Sequence, residues 1–177
     1  MNKKVSAVLS SGIIIMSSLA SPAWADECLK AKGNIANNAQ AGGVTLGVAT
    51  LKLGDENFKC AVSGDPQLSD PNAFPPQPNY RHTLVCDDKV GAGEPQSQIT
   101  FNTFFASEPV NTSDCDMYNP FGPHSFTFEE LSIPDPATAR GAFVGVDPSM
   151  SSITITGDYN CSGGINMKFK GEMCFIK

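Results

Sequence analysis

Six cysteines, two histidines and one pair of adjacent glutamates are the residues here whose types and spacing could do chemistry. The cysteines are Cys28, Cys60, Cys86, Cys115, Cys161 and Cys174. Zinc sites draw on Cys or His pairs two to four residues apart. The closest two cysteines, Cys161 and Cys174, are thirteen apart, and only His82 and His124 could join them. An even cysteine count in an exported chain points instead to three disulfides. No metal and no cofactor is expected. Cysteine catalysis would need a free thiolate beside a base, and six paired cysteines leave none.

The acid–base candidates are few. Glu129 and Glu130 are neighbours, so a strand sends them to opposite faces, and they cannot form a glycosidase-type carboxylate pair. Glu130 shares a face with Phe126 and Phe128. Burial there would raise its pKa, but the expectation is a solvated carboxylate near a strand end. His82 is a possible general base facing a cavity, yet a lone strand histidine is expected to be a satisfied or surface residue. Asp87-Asp88 and Asp114-Cys115-Asp116 lack the regular oxygen ligands of a calcium loop. There is no Gly-x-Ser-x-Gly elbow, no His-Glu-x-x-His pair and no phosphate-cradling loop. Asn111 and Asn160 begin Asn-x-Ser/Thr triplets, which matter only in a host that glycosylates exported proteins. No catalytic residue is assigned, and no ligand-binding residue is identifiable.

The elements that must carry these residues begin after a leader. Lys3 and Lys4 precede an apolar run from Val5 to Leu19, then Ser21-Pro22 and the small-x-small triplet Ala23-Trp24-Ala25. That is the three-part pattern of a cleaved signal peptide. Cleavage is expected between Ala25 and Asp26, leaving 26–177 as a single all-β domain. No second apolar run of spanning length follows, so no membrane span is expected in the mature chain. The location is exported, either periplasmic or extracellular. The chain carries a net charge of −6, and losing Lys3 and Lys4 with the leader makes it −8. The remaining basic residues look singly scattered, with Lys168 and Lys170 the nearest thing to a patch. A nucleic-acid partner is therefore not expected.

Alternating patterns predict strands at Val44–Leu53, Phe58–Val62, Tyr80–Cys86, Ser97–Phe105, Ser125–Ile133, Ser151–Cys161 and Ile165–Ile176. Residues 26–40 lack a sustained apolar stripe and are predicted to be an arm, with Cys28 as a possible anchor. Val44–Leu53 is apolar on both faces, which predicts cover on both sides. Five prolines make 64–79 a long loop, and Pro134 and Pro136 are expected to end the strand before them. Seven or eight short strands with Gly and Pro turns define an antiparallel β-barrel or a two-sheet sandwich, stapled by disulfides. A Cys60–Cys86 bridge would close the Pro-rich loop at its base. In the last hairpin, Cys161 is expected to face Asn166 rather than Cys174, leaving Cys115 for Cys161 and Cys28 for Cys174 as candidate pairings.

From Arg140 the chain reads "RGAFVGV", then a strand, then "GDYNCSGG" and "FKGEMCF". This stretch resembles the closing part of allene oxide cyclase and dirigent-like β-barrels, in which a Gly-x-Phe-x-Gly turn precedes paired barrel strands. The matching positions are Gly141, Phe143 and Gly145. The resemblance implies an antiparallel barrel around an apolar cavity that binds or reorganises hydrophobic small molecules. None of that family's catalytic positions can be matched here, and the cysteines depart from its pattern.

Two functions follow as expectations. One is a non-catalytic binding or interaction protein that takes a small apolar ligand or a protein partner. The other is a small barrel enzyme, an isomerase or cyclase, acting on a hydrophobic molecule. A cluster of His82, Glu130 or Arg140 facing one cavity would favour the enzyme. The exported protein is predicted to begin at Asp26 and to be six hydrogens lighter than its reduced form. An intact mass retaining residues 1–25, or free thiols by alkylation, would contradict this reading.

Overall fold

The computed structural model describes residues 27–68, 76–87, 96–106 and 125–176. Eight strands follow one another: β1 (Glu27–Ala39), β2 (Thr45–Leu53), β3 (Glu56–Pro66), β4 (Tyr80–Cys86), β5 (Ser97–Phe105), β6 (Ser125–Arg140), β7 (Ser152–Asn160) and β8 (Gly164–Phe175). Each pairs antiparallel with the next, and β8 returns to β1, so the sheet is a closed up-and-down barrel rather than a sandwich. Closure leaves no strand edge unpaired.

Period-two patterning explains which face turns inward. Ile99, Phe101 and Thr103 of β5, Ile153 and Ile155 of β7, and Met167, Phe169 and Met173 of β8 are all buried. The bounds of β4 and β5 coincide with the predicted strands. β1 does not, because the predicted arm is a thirteen-residue strand paired along most of its length with both β2 and β8. Its inward positions include Ala31, Gly33 and Asn37, too small or polar to give a clear apolar stripe. Smallness is required there: a Cβ on Gly33 would lie 1.8 Å from the Thr50 carbonyl oxygen and 2.5 Å from the Phe169 ring.

Three further expectations need correction. The outer face of β2 is not covered, and Leu46 and Val48 are 51% and 64% exposed. β3 continues to Pro66, so the loop starts later than predicted. β6 runs through Pro134 and Pro136 to Arg140. Its register against β5 shifts between Gln98 and Thr100, which lets residues 136–139 bulge. Within the bulge the Thr100 N–H donates to Thr138 Oγ1 at 2.8 Å, and the Thr138 hydroxyl donates to the Asp135 carbonyl at 2.8 Å.

Two disulfides staple the barrel. Cys60–Cys86 lies inside it, between directly opposed residues of β3 and β4. Cys28–Cys174 joins the first strand to the last across a separation of 146 residues. Cys161 is also disulfide-bonded. It sits in the β7–β8 turn, one step outside the ladder predicted to hold it. Its candidate partner Cys115 lies outside the described residues, as do His124, Ala25, Asp26 and the leader.

The segment after β6 plugs the end of the barrel that holds both of these staples. Gly141–Phe143 makes a 3₁₀ turn, and Phe143 is fully buried with its ring 5.7 Å from that of Phe58. Gly141 has φ +59°, and a Cβ there would lie 2.4 Å from Ser97 Oγ. Ser97 Oγ instead accepts the Ala142 N–H at 2.8 Å. The Gly145 carbonyl accepts the Ile176 N–H at 2.8 Å. Truncating the plug by Phe143→Ala is expected to cost about 3–5 kcal/mol, read from urea or thermal unfolding. A loss below about 1 kcal/mol would mean that the aromatic ring does not seal this end.

Candidate functional site

The middle of the barrel is almost solid, with a void of only about 20 Å³ among residues including Ile35, Leu51, Leu84 and Phe101. The end opposite the plug is different. There, β1, β3, β5 and β7 finish and β2, β4, β6 and β8 begin. Their inward residues enclose a cavity of about 310 Å³, with walls that include Tyr80, Phe105, Phe128, Tyr159, Ile165 and Met167. His82, Glu130 and Thr45 supply polar groups. The volume is at the lower end of the range for small-molecule sites.

Glu130 is the most unusual group in this wall. Alternation along β6 points it inward opposite Phe105 of β5, and it is only 4% exposed. Its Oε2 is buried with no hydrogen-bond partner. Burial disfavours the carboxylate and pushes its pKa up to about 7. The solvated strand-end residue expected from sequence is therefore a buried acid. Its carboxylate, after burial and with Tyr159, also pushes the Tyr80 phenol above its usual value.

His82 is buried rather than at the surface, and its hydrogen bond makes it the satisfied histidine that the sequence allowed; its pKa falls to about 4 through desolvation. It is thus a neutral imidazole. Its Nδ1 lies 3.0 Å from Thr103 Oγ1, which lies 2.8 Å from Ser132 Oγ. Tyr80 stacks on the ring at 5.6 Å and donates its hydroxyl proton to the Gly43 carbonyl at 3.1 Å. A hydroxyl separates Ser132 from the imidazole, so these residues do not form a nucleophile–base pair of the serine hydrolase kind. Thr45 adds a hydroxyl whose Oγ1 accepts Asn37 Nδ2–H at 3.1 Å, while Asn37 Oδ1 is buried without a partner.

Of the residues singled out in sequence, the fold brings His82 and Glu130 to one cavity. It sends Glu129 to the outer wall and leaves Arg140 exposed at the far end of β6. Tyr80, Tyr159 and Asn37 went unrecognised; the inward parity of Tyr80 and Tyr159 was the available signal. Two larger depressions, of about 880 and 720 Å³, lie on the outer wall. The smaller cavity is the candidate site because buried polar groups converge only there among the described residues. No three His, Cys, Asp or Glu side chains among the described residues are placed to hold a metal ion. No family model, curated protein or solved structure matches this chain.

The two perturbed groups tilt stability in opposite directions. Glu130, raised in the folded state, favours folding at low pH, and this stability is lost as pH rises from about 4.5 to about 7. His82, lowered in the folded state, disfavours folding as pH falls from about 6.5 to about 4. Glu130→Gln is expected to remove the first slope, gaining on the order of 3 kcal/mol relative to wild type between pH 5 and pH 8. Parallel stability profiles for the two proteins would show that the carboxyl is solvated.

Proposed function

We propose that this disulfide-stabilised barrel is an exported small-molecule-binding protein whose ligand enters the end opposite the plug. The observation carrying the proposal is the buried Glu130 Oε2, unpartnered in an aromatic-walled cavity. A buried polar atom without a partner costs about 1–3 kcal/mol, and a ligand hydrogen bond would recover it. The fitting ligand is small and largely apolar, with one polar group to meet Glu130. The resemblance of the Arg140 stretch to hydrophobe-binding barrels points the same way.

A second reading, a barrel isomerase or cyclase, is favoured by two observations. His82 and Glu130 face one cavity. A carboxyl that titrates near 7 is suited to exchange a proton at neutral pH. Against it, His82 is neutral and tied to the Thr103 hydroxyl rather than to Glu130.

Native mass spectrometry of protein exported by its own host tests the binding reading. An added mass is expected in the native spectrum alone. It should be absent from Met167→Trp, which fills the cavity, and at least about tenfold weaker in Glu130→Leu. A native mass equal to the denatured one, for wild type at neutral pH, would contradict the proposal. A different molecule recovered from Glu130→Leu, convertible by wild type into the original one, would select the enzyme.

A further inference from the structure

The lysines that look scattered in sequence are gathered by the fold. Register places Lys32 of β1 directly opposite Lys52 of β2 on one side and Lys170 of β8 on the other. These three form a line across the outer wall, with neighbours about 4.8 Å apart at the backbone. Two residues along, about 6.7 Å away, a second row runs Lys168, Asn34, Thr50 and Lys59. Five of the chain's twelve basic side chains thus share one patch. The patch lines a trough of about 720 Å³ that also presents Asn57, Thr154 and Thr156, and no acidic residue lines it.

Three features separate this patch from an ordinary solvated face. Like charges directly opposite in an antiparallel pair are destabilising, yet Lys32 faces two of them. Among the described residues none of the five forms an ion pair, whereas Lys30, just beyond, is neutralised by Glu172. The protein as a whole is acidic, so a positive cluster cannot be a by-product of composition.

We propose that this trough binds an acidic polysaccharide, a linear chain carrying carboxylate or sulfate groups. The lysine rows meet the anions, and the Asn and Thr side chains meet sugar hydroxyls. A bilayer is planar and would not follow a trough. A reader of single-stranded nucleic acid would stack bases on aromatic rings, and the rings here, Phe58 and Phe169, are buried. The surface is separate from the end cavity, so either proposal stands without the other.

The test is titration of the full exported protein with heparin, alongside anionic phosphatidylglycerol vesicles and an oligothymidylate. Heparin binding that weakens steeply with salt is expected. Lys32→Thr with Lys168→Gln should weaken it by about tenfold or more. The same variant should keep its thermal midpoint or raise it by about 1–4 °C, through relief of the opposed charges. Lys30→Gln, whose charge Glu172 already answers, should change affinity by less than about twofold. The proposal is overturned by no heparin binding at low salt, by tighter binding to vesicles or oligothymidylate, or by equal losses from Lys30→Gln and the double variant. It is overturned as well if the double variant melts normally and binds like wild type.

Discussion

The pairing of β1 with β8 is the constraint on which everything else rests. It joins residues more than a hundred positions apart, and loop-closure entropy opposes it. Cys28–Cys174 sits in that seam and holds it covalently, restricting the unfolded chain by about 2–4 kcal/mol in the usual range. Without the seam the sheet would have two open edges, and its interior would lose its walls. Both the end cavity and the lysine rows cross or adjoin this seam. β8 gives Ile165 and Met167 to the first and Lys168 and Lys170 to the second.

The two ends of the barrel are built on different principles. At the plugged end, Phe143, Phe58 and Met173 fill space, and hydrogen bonds from the Gly141–Gly145 segment bind the plug to β5 and to the residue after β8. At the other end the interior turns polar, with Asn37, Thr45, His82, Thr103, Glu130 and Ser132 buried. Stability is concentrated where packing is dense and stapled. Unsatisfied polarity is concentrated where a ligand could enter. Local rules are broken at this polar end, and such departures gather at functional sites.

Strands with β-branched and aromatic alternation, β4 and β5 above all, were legible to the residue, because their patterning records their own burial. β1 was not, since a narrow interior asks it for Ala and Gly opposite large neighbours such as Phe169. The inward parity of Glu130 was readable from Phe126 and Phe128, but its burial was not. Its cavity is shared with Tyr80, Phe105 and Tyr159, which come from three other strands. The lysine patch was hidden for a similar reason: Lys32, Lys52 and Lys170 become neighbours only through the register of two separate strand pairs. The prolines of β6 misled because the bulge and the Thr138 hydroxyl, both consequences of tertiary pairing, let the strand pass through them. The Cys60–Cys86 pairing was recoverable because it joins two strands that the alternating pattern suggested, whereas Cys28 was matched to Cys174 only as a candidate, without its strand being recognised.

The fold holds the Glu130 carboxyl out of water at the end opposite the plug. The most direct measurement is the side-chain ¹³C chemical shift of Glu130, followed by NMR as a function of pH. The structure predicts a midpoint near 7, well above the exposed glutamates in the same spectrum. A midpoint near 4.5, the value of an exposed glutamate, would mean that the carboxyl is solvated and that the cavity does not exist as described.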